Sequence, residues 1–182
     1  MSPRELERWH EDWTLADGAR VACRPIRPED AGIEQAFVRG LSREARHNRF
    51  MADIRELSPA MLARFTHNDY PHDLALIVTC EEGGREQEIA VARYIALDEP
   101  GRCEFGLAVA DRWQGRGVGY RLMENLMRFA REAGFVHMEG FVLAENAKML
   151  ELMRALGFAI HPSVEGPRVR LATRSLQVES GA

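Results

Sequence analysis

Val109-Ala110-Asp111-Arg112-Trp113-Gln114-Gly115-Arg116-Gly117-Val118-Gly119 is the stretch on which the fold turns. Ahead of it, Arg102 to Ala110 reads as a strand behind the Glu99-Pro100-Gly101 turn. After it, Val118, Leu122, Leu126, Phe129 and Ala130 fall on one face of a helix from Gly117 to about Ala133, stopped by Gly134. Glycines between a strand and a helix let the main chain approach a ligand closely and aim successive N–H groups into one concavity. A helix starting there adds the positive end of its dipole, which makes Gln114 to Gly119 a candidate phosphate or pyrophosphate loop with the Arg116 charge nearby. A plain tight turn is the competing reading of so short a glycine run. Neither established phosphate motif fits. No Lys follows the glycines as a P-loop requires, and the strands ahead read as a meander rather than the parallel unit of a dinucleotide fold.

Working outward, Asp73 to Cys80 and Glu88 to Leu97 are strands joined at Gly83-Gly84, and with Arg102 to Ala110 they predict an antiparallel meander. Three helices precede it: Pro28 to about Arg39, Ser42 to about Phe50, and a third opening at Ser58-Pro59. Val21 to Arg27 follows the hairpin dipeptide Asp17-Gly18 as a strand. Its prolines, Pro25 and Pro28, predict a sheet edge or a strand running out into a loop. Ser2, Pro3 and Glu5 open an N-terminal helix whose Leu6, Trp9 and Trp13 share helical spacing. Downstream come a strand at Phe135 to Leu143, a helix at Asn146 to Leu156, and a strand pair at Phe158 to His161 and Arg168 to Leu176. The order predicts an α+β fold, a mixed and predominantly antiparallel sheet flanked by helices. The organisation read from it is an N-terminal helical extension at 1–16, one domain at 17–176 and a short tail at 177–182.

Composition narrows the function. The chain has 182 residues, 46% hydrophobic and 29% charged, with a net charge of −4. That balance carries no electrostatic footprint for nucleic acid. No apolar stretch reaches the length of a membrane span, and the charged N-terminus lacks the apolar core of a signal peptide. Cys23, Cys80 and Cys103 form no CxxC pair and suit a reducing cytoplasm. His47, His67, His72, His137 and His161 show no ligand spacing, so no metal is expected. Arg43, Arg46 and Arg49 recur on one helix and read as a solvated face, or as a site for an acidic partner or phosphate.

The glycine stretch resembles the acetyl-CoA signature, Q/R-x-x-G-x-G/A, of the GNAT superfamily of N-acetyltransferases. The helix opening at Asn146 and closing on Leu156-Gly157-Phe158 is similar to that superfamily's N…LGF segment. The run from Asp17 to Phe50, the strand Glu104-Phe105-Gly106-Leu107-Ala108-Val109 and the segment Glu145-Asn146-Ala147-Lys148-Met149-Leu150 further resemble bacterial protein-lysine acetyltransferases that act on acyl-CoA synthetases. Together the match covers about Asp17 to Leu176.

The resemblance implies acetyl-CoA as co-substrate and an amine as acceptor: a protein lysine, that of an acyl-CoA synthetase included, or a small amine. It places Leu107, Ala108 and Val109 against the pantetheine arm, with a strand bulge opening the cleft and an N–H near Val109 facing the developing oxyanion. It assigns the pyrophosphate to the loop Gln114, Gly115, Arg116, Gly117, Val118, Gly119 and Tyr120. A lysine ammonium of pKa about 10.4 must lose a proton before it attacks, and Glu104 is the candidate general base, directly or through one water. A solvated strand carboxylate is the competing reading of Glu104. Asn146 reads first as a helix cap, and the resemblance adds a contact to the cofactor. Where many superfamily members have a tyrosine acid this chain has Met153, which cannot donate a proton. A CoA-binding module without chemistry is therefore a further reading, and a monomer or weak dimer is expected.

Overall fold

The computed structural model describes residues 2–177. Its elements are α1 (Pro3–Arg8), β1 (Glu11–Thr14), β2 (Arg20–Pro25), α2 (Ala31–Gly40), α3 (Arg43–Phe50), α4 (Pro59–Phe65), β3 (Asp73–Glu82), β4 (Arg85–Ala96), β5 (Arg102–Val109), α5 (Val118–Glu132), β6 (His137–Leu143), α6 (Ala147–Ala155), β7 (Ala159–Pro162) and β8 (Val169–Ser175). Short 3-10 turns at Pro28–Asp30 and Asp111–Trp113 lead into α2 and into the glycine loop. One sheet of eight strands runs in the order β1-β2-β3-β4-β5-β6-β8-β7. Every neighbouring pair is antiparallel except β5 and β6. The expected fold class holds.

Each face of the sheet buries its own helices. On one face α5 inserts Val118, Leu122, Met123, Leu126, Met127, Phe129 and Ala130, and α6 adds Leu150 and Met153. Each such leucine or methionine contributes about 1.5–3 kcal/mol when removed from water. On the other face Phe37 and Val38 of α2 pack on Ala75, Ile77, Val91 and Ala108, with α3 and α4 closing around them. Ser42 and Ser58 cap α3 and α4 through their hydroxyls, accepting from Ala45 N and Met61 N. The two serines thus fix where these short helices begin.

Two expectations are corrected and one is resolved. The helix expected over the first dozen residues stops at Arg8, and Trp13 stands on strand β1, 2% exposed. The segment 1–16 is therefore not helical throughout: Glu11–Thr14 pairs with Arg20–Cys23 as an added strand, and that strand seats Trp13 in the core. β1 covers β2, so of the two readings of its prolines the second holds: the strand ends at Pro25 and runs out into the loop to Pro28. Finally, the β4–β5 register runs unbroken, so β5 carries no bulge; the sheet's register shift lies between Val78 and Thr79 of β3 as they face β4. The tail expected at 177–182 lies, apart from Gln177, outside the described residues.

Candidate active site

Strand β5 presents one open edge. Leu97 N donates to Arg102 O at 2.9 Å, and Ala110 N donates to Ile89 O at 2.8 Å. These two bonds set the ladder's phase: even-numbered residues of β5 bond to β4, and odd-numbered ones aim their N–H and C=O the other way. On that side β6 pairs only with Arg102–Glu104 before the strands part. The N–H and C=O of Leu107 and the N–H of Val109 are left beyond the last pairing, facing the gap. Val109 O is satisfied locally, accepting from Gln114 Nε2 at 3.1 Å.

An aromatic wedge sits where the strands separate. A Cβ built on Gly140 of β6 would lie 2.5–2.7 Å from three atoms of the Phe105 ring. That ring in turn meets Phe158 edge-on at a 5.2 Å centroid distance. Only a residue without a side chain fits under it. Gly140→Ala should therefore cost about 1–3 kcal/mol through overpacking, read as a lower thermal midpoint with the far-ultraviolet spectrum intact.

The gap opens into a cleft of about 270 Å³. Glu104, Gly106 and Leu107 of β5 form its floor, Asn48, Arg49, Phe50 and Met51 stand on one side, and Phe141, Val142, Asn146 and Met149 on the other. Glu104 is half-buried; burial pushes its carboxyl above the ordinary range, the Glu139 carboxylate pushes the same way, and Arg49 opposes both. A carboxyl so placed holds its proton nearer neutrality, which suits a group that accepts protons there.

The loop at the other end of β5 has the geometry its glycines suggested. Gly115 and Gly117 adopt φ of 73° and 82°, and no side chain caps α5 at Gly117. The first-turn N–H groups of Val118, Gly119 and Tyr120 lack intrahelical partners by construction. Trp113 is buried beneath the loop and carries the Arg116 guanidinium 4.1 Å from its ring centre. Arg116 also pairs with Asp17 of the β1–β2 turn, so its charge is shared rather than free.

Several residues fall elsewhere than a simple carry-over suggests. Ala108 turns to the α2 face and packs in that core. Tyr120 is exposed. Gln114 braces the loop: besides its bond to Val109 O, its Oε1 accepts from Lys148 Nζ at 3.3 Å. Asn146 lines the cleft and caps α6, its Oδ1 accepting from Met149 N at 3.1 Å. Met153 is fully buried. Cys103 is fully buried too, and burial pushes its thiol up to about 12, so it packs rather than reacts.

Arg49 was missed by sequence reasoning. The solvated face expected of Arg43, Arg46 and Arg49 holds for Arg43 alone. Arg46 bonds the Arg39 and Leu41 carbonyls, closing the α2–α3 junction. Arg49 lies across β5, its guanidinium carbon 2.9 Å from where a Gly106 Cβ would stand. No local signal separates it from its helical neighbours, because its place depends on a strand more than fifty residues away. Among the described residues no three His, Cys, Asp or Glu side chains are grouped to hold a metal. None of the described helices is long and apolar enough to cross a membrane.

A sheet whose central strands part beside a glycine loop and a helix N-terminus is the frame of an acetyltransferase, and the chain belongs to the acetyltransferase (GNAT) family, whose model matches residues 35–158. It is 39% identical over 154 residues to Acetyltransferase PA5475 of Pseudomonas aeruginosa, covering 85% of this chain and 82% of that protein. To Acetyltransferase Pat of Mycolicibacterium smegmatis it is 30% identical over 135 residues, 74% of this chain but 40% of that longer protein. The fold matches the GNAT domain of S. lividans PAT with a TM-score of 0.84 and 30% identity, over 96% of this chain and 99% of that one.

Proposed function

We propose that the chain transfers an acetyl group from acetyl-CoA to a primary amine, and that the amine is a protein lysine, with acyl-CoA synthetases as a candidate class of target. The observation that carries the reading is the pairing of Glu104 with the open edge of β5 in one cleft. The residues fit the co-substrate: unpaired main-chain groups of Leu107 and Val109 suit an amide-bearing arm, and the glycine loop with the α5 N-terminus suits its phosphates. Acetyl-CoA supplies the thioester carbonyl. Glu104 takes the ammonium proton of the acceptor, directly or through one water. The Val109 N–H is aimed where a donor to the developing oxyanion is needed. Gln114, Gly115, Arg116, Gly117, Val118, Gly119 and Tyr120 hold the phosphate end, and Asn146 anchors α6 beside them. With Met153 buried in the core, the departing thiolate of pKa near 8.5 leaves without a tyrosine acid.

A protein acceptor is favoured over a small amine on two grounds. Glu104 is the sole carboxylate among the residues lining the cleft, whereas a pocket for a free polyamine needs several. The sequence resemblance to protein-lysine acetyltransferases points the same way. The test incubates purified protein and labelled acetyl-CoA with lysate freed of small molecules, and separately with a pool of free amines. Label on a few proteins, mapped to lysines, is expected. Label confined to small amines would shift the acceptor to that class, and cofactor binding without transfer would leave a regulatory module.

A further inference from the structure

We propose that Lys148 is a self-acetylation site of this protein, modified by a second copy, and that its acetylation weakens the hold of the glycine loop on the acyl donor. The inference rests on the lysine-directed transfer proposed above.

Lys148 is the single lysine in the chain, where Lys and Arg together number 24. The rest of those 24 side chains are guanidinia, which stay protonated and are no nucleophiles at physiological pH. An enzyme that acetylates ε-amines therefore meets one such amine on its own surface. Its position is specific. Lys148 is exposed on the first turn of α6, and its Nζ donates to Gln114 Oε1 at 3.3 Å. Through Gln114 Nε2 the contact continues to Val109 O, at the end of the open strand. Lys148 forms no ion pair with a carboxylate among the described residues. Its charge stands at Gln114, the head of the glycine loop, within electrostatic reach of the Asp111 carboxylate, while Arg116 is engaged by Asp17.

The reaction is between copies. Lys148 is held through Gln114 at the Val109 end of β5, and Glu104 stands toward the other end of that strand. The exposed amine is open to the cleft of a second copy. In the partner's cleft the ammonium gives a proton to Glu104. The free amine then attacks the thioester carbonyl: the N–C bond forms, the C–S bond breaks, and CoA leaves as the thiol with the proton returned. The product is a neutral acetamide. It keeps one N–H for Gln114 but removes the charge from the loop. Loss of one exposed cation should weaken acetyl-CoA binding about threefold, and the difference should shrink in high salt.

The test follows intact mass and peptide maps of purified protein incubated with acetyl-CoA. One acetyl group on Lys148 is expected, with an initial rate per molecule that rises with protein concentration. K148R should lose that mass. ¹⁵N-labelled E104Q should stay unmodified alone and become acetylated at Lys148 when mixed with wild type, which also shows that the variant is folded enough to serve as acceptor. K148Q should bind acetyl-CoA about threefold more weakly than K148R at low salt. Lysate proteins labelled while Lys148 stays bare would overturn this inference and leave the proposed function standing. Label on neither would overturn both. E104Q alone acetylated at the wild-type rate would show spontaneous chemistry and likewise sink the inference.

Discussion

Replacing Glu104 with glutamine should lower kcat/KM for the amine acceptor by about 10²–10⁴-fold, the usual worth of a positioned general base, while acetyl-CoA binds as before. Glutamine keeps the shape and hydrogen-bonding reach of the side chain but cannot take a proton. The pH profile is the sharper readout. Burial and the Glu139 carboxylate hold the Glu104 carboxyl above the ordinary range, with Arg49 opposing. The active form is the carboxylate, so wild-type activity should fall as pH drops through that raised value and be complete above it. In the glutamine variant this acid limb should vanish. What remains should climb with pH as the free amine of the acceptor, pKa about 10.4, becomes more abundant. Arg49→Met removes the opposing charge, so it should move the wild-type limb to higher pH. A glutamine variant that binds acetyl-CoA and turns over at the wild-type rate above pH 8 would remove Glu104 from the mechanism.

The parts of this site that were legible in the sequence are those set by short-range chemistry. Gly115 and Gly117 announce a left-handed loop ahead of an amphipathic helix, and both adopt that conformation. Asn146 announces a cap and makes one. Illegible features depend on distant partners. Trp9 and Trp13 are four apart, which fits a helix, yet β1 is too short for alternation to compete with that spacing, and only its pairing with β2 decides the matter. The resemblance correctly implied parted strands but tied them to a bulge; here they part around Phe105 seated on Gly140, a contact between residues thirty-five apart. Arg49 shows the same limit from the other side. Its three-residue spacing with Arg43 and Arg46 says that they share a helix face, not that the face ends against Gly106.

Replacing Asp30 with alanine should be among the most damaging single changes to stability, at about 3 kcal/mol, the lower end of the range for breaking a buried ion pair. Arg24 on β2 and Asp30 at the start of α2 have side chains 10% and 9% exposed, and they bond through two N–H groups at 2.7 and 2.8 Å. The same carboxylate accepts from Arg27 N at 2.8 Å, fixing the turn that starts the helix. Alanine would leave a buried guanidinium with the half-exposed Glu86 as its remaining carboxylate partner, which is why the cost falls at the low end. The pH dependence has a definite sign. Burial alone would raise the Asp30 carboxyl, but the Arg24 bonds and the Arg27 N–H outweigh it and hold the group below its ordinary range. The stabilisation is therefore whole above the unfolded carboxylate pKa of about 3.9 and is lost as pH falls through the lowered value. The deficit of Asp30→Ala, read from denaturant midpoints, should be full at neutral pH and shrink in acid. Asp30→Leu paired with Arg24→Met should recover much of it, since apolar groups of similar volume leave no stranded charge. The change should also reach the cleft unevenly. Asp30 positions α2, and α2 leads into α3, which carries Arg49 over Gly106, whereas the glycine loop is braced from α6 through Lys148 and Gln114. Under conditions where the variant stays folded, KM for the acceptor should rise while acetyl-CoA affinity holds. Equal losses of both would mean that the two sides of the cleft are not supported separately.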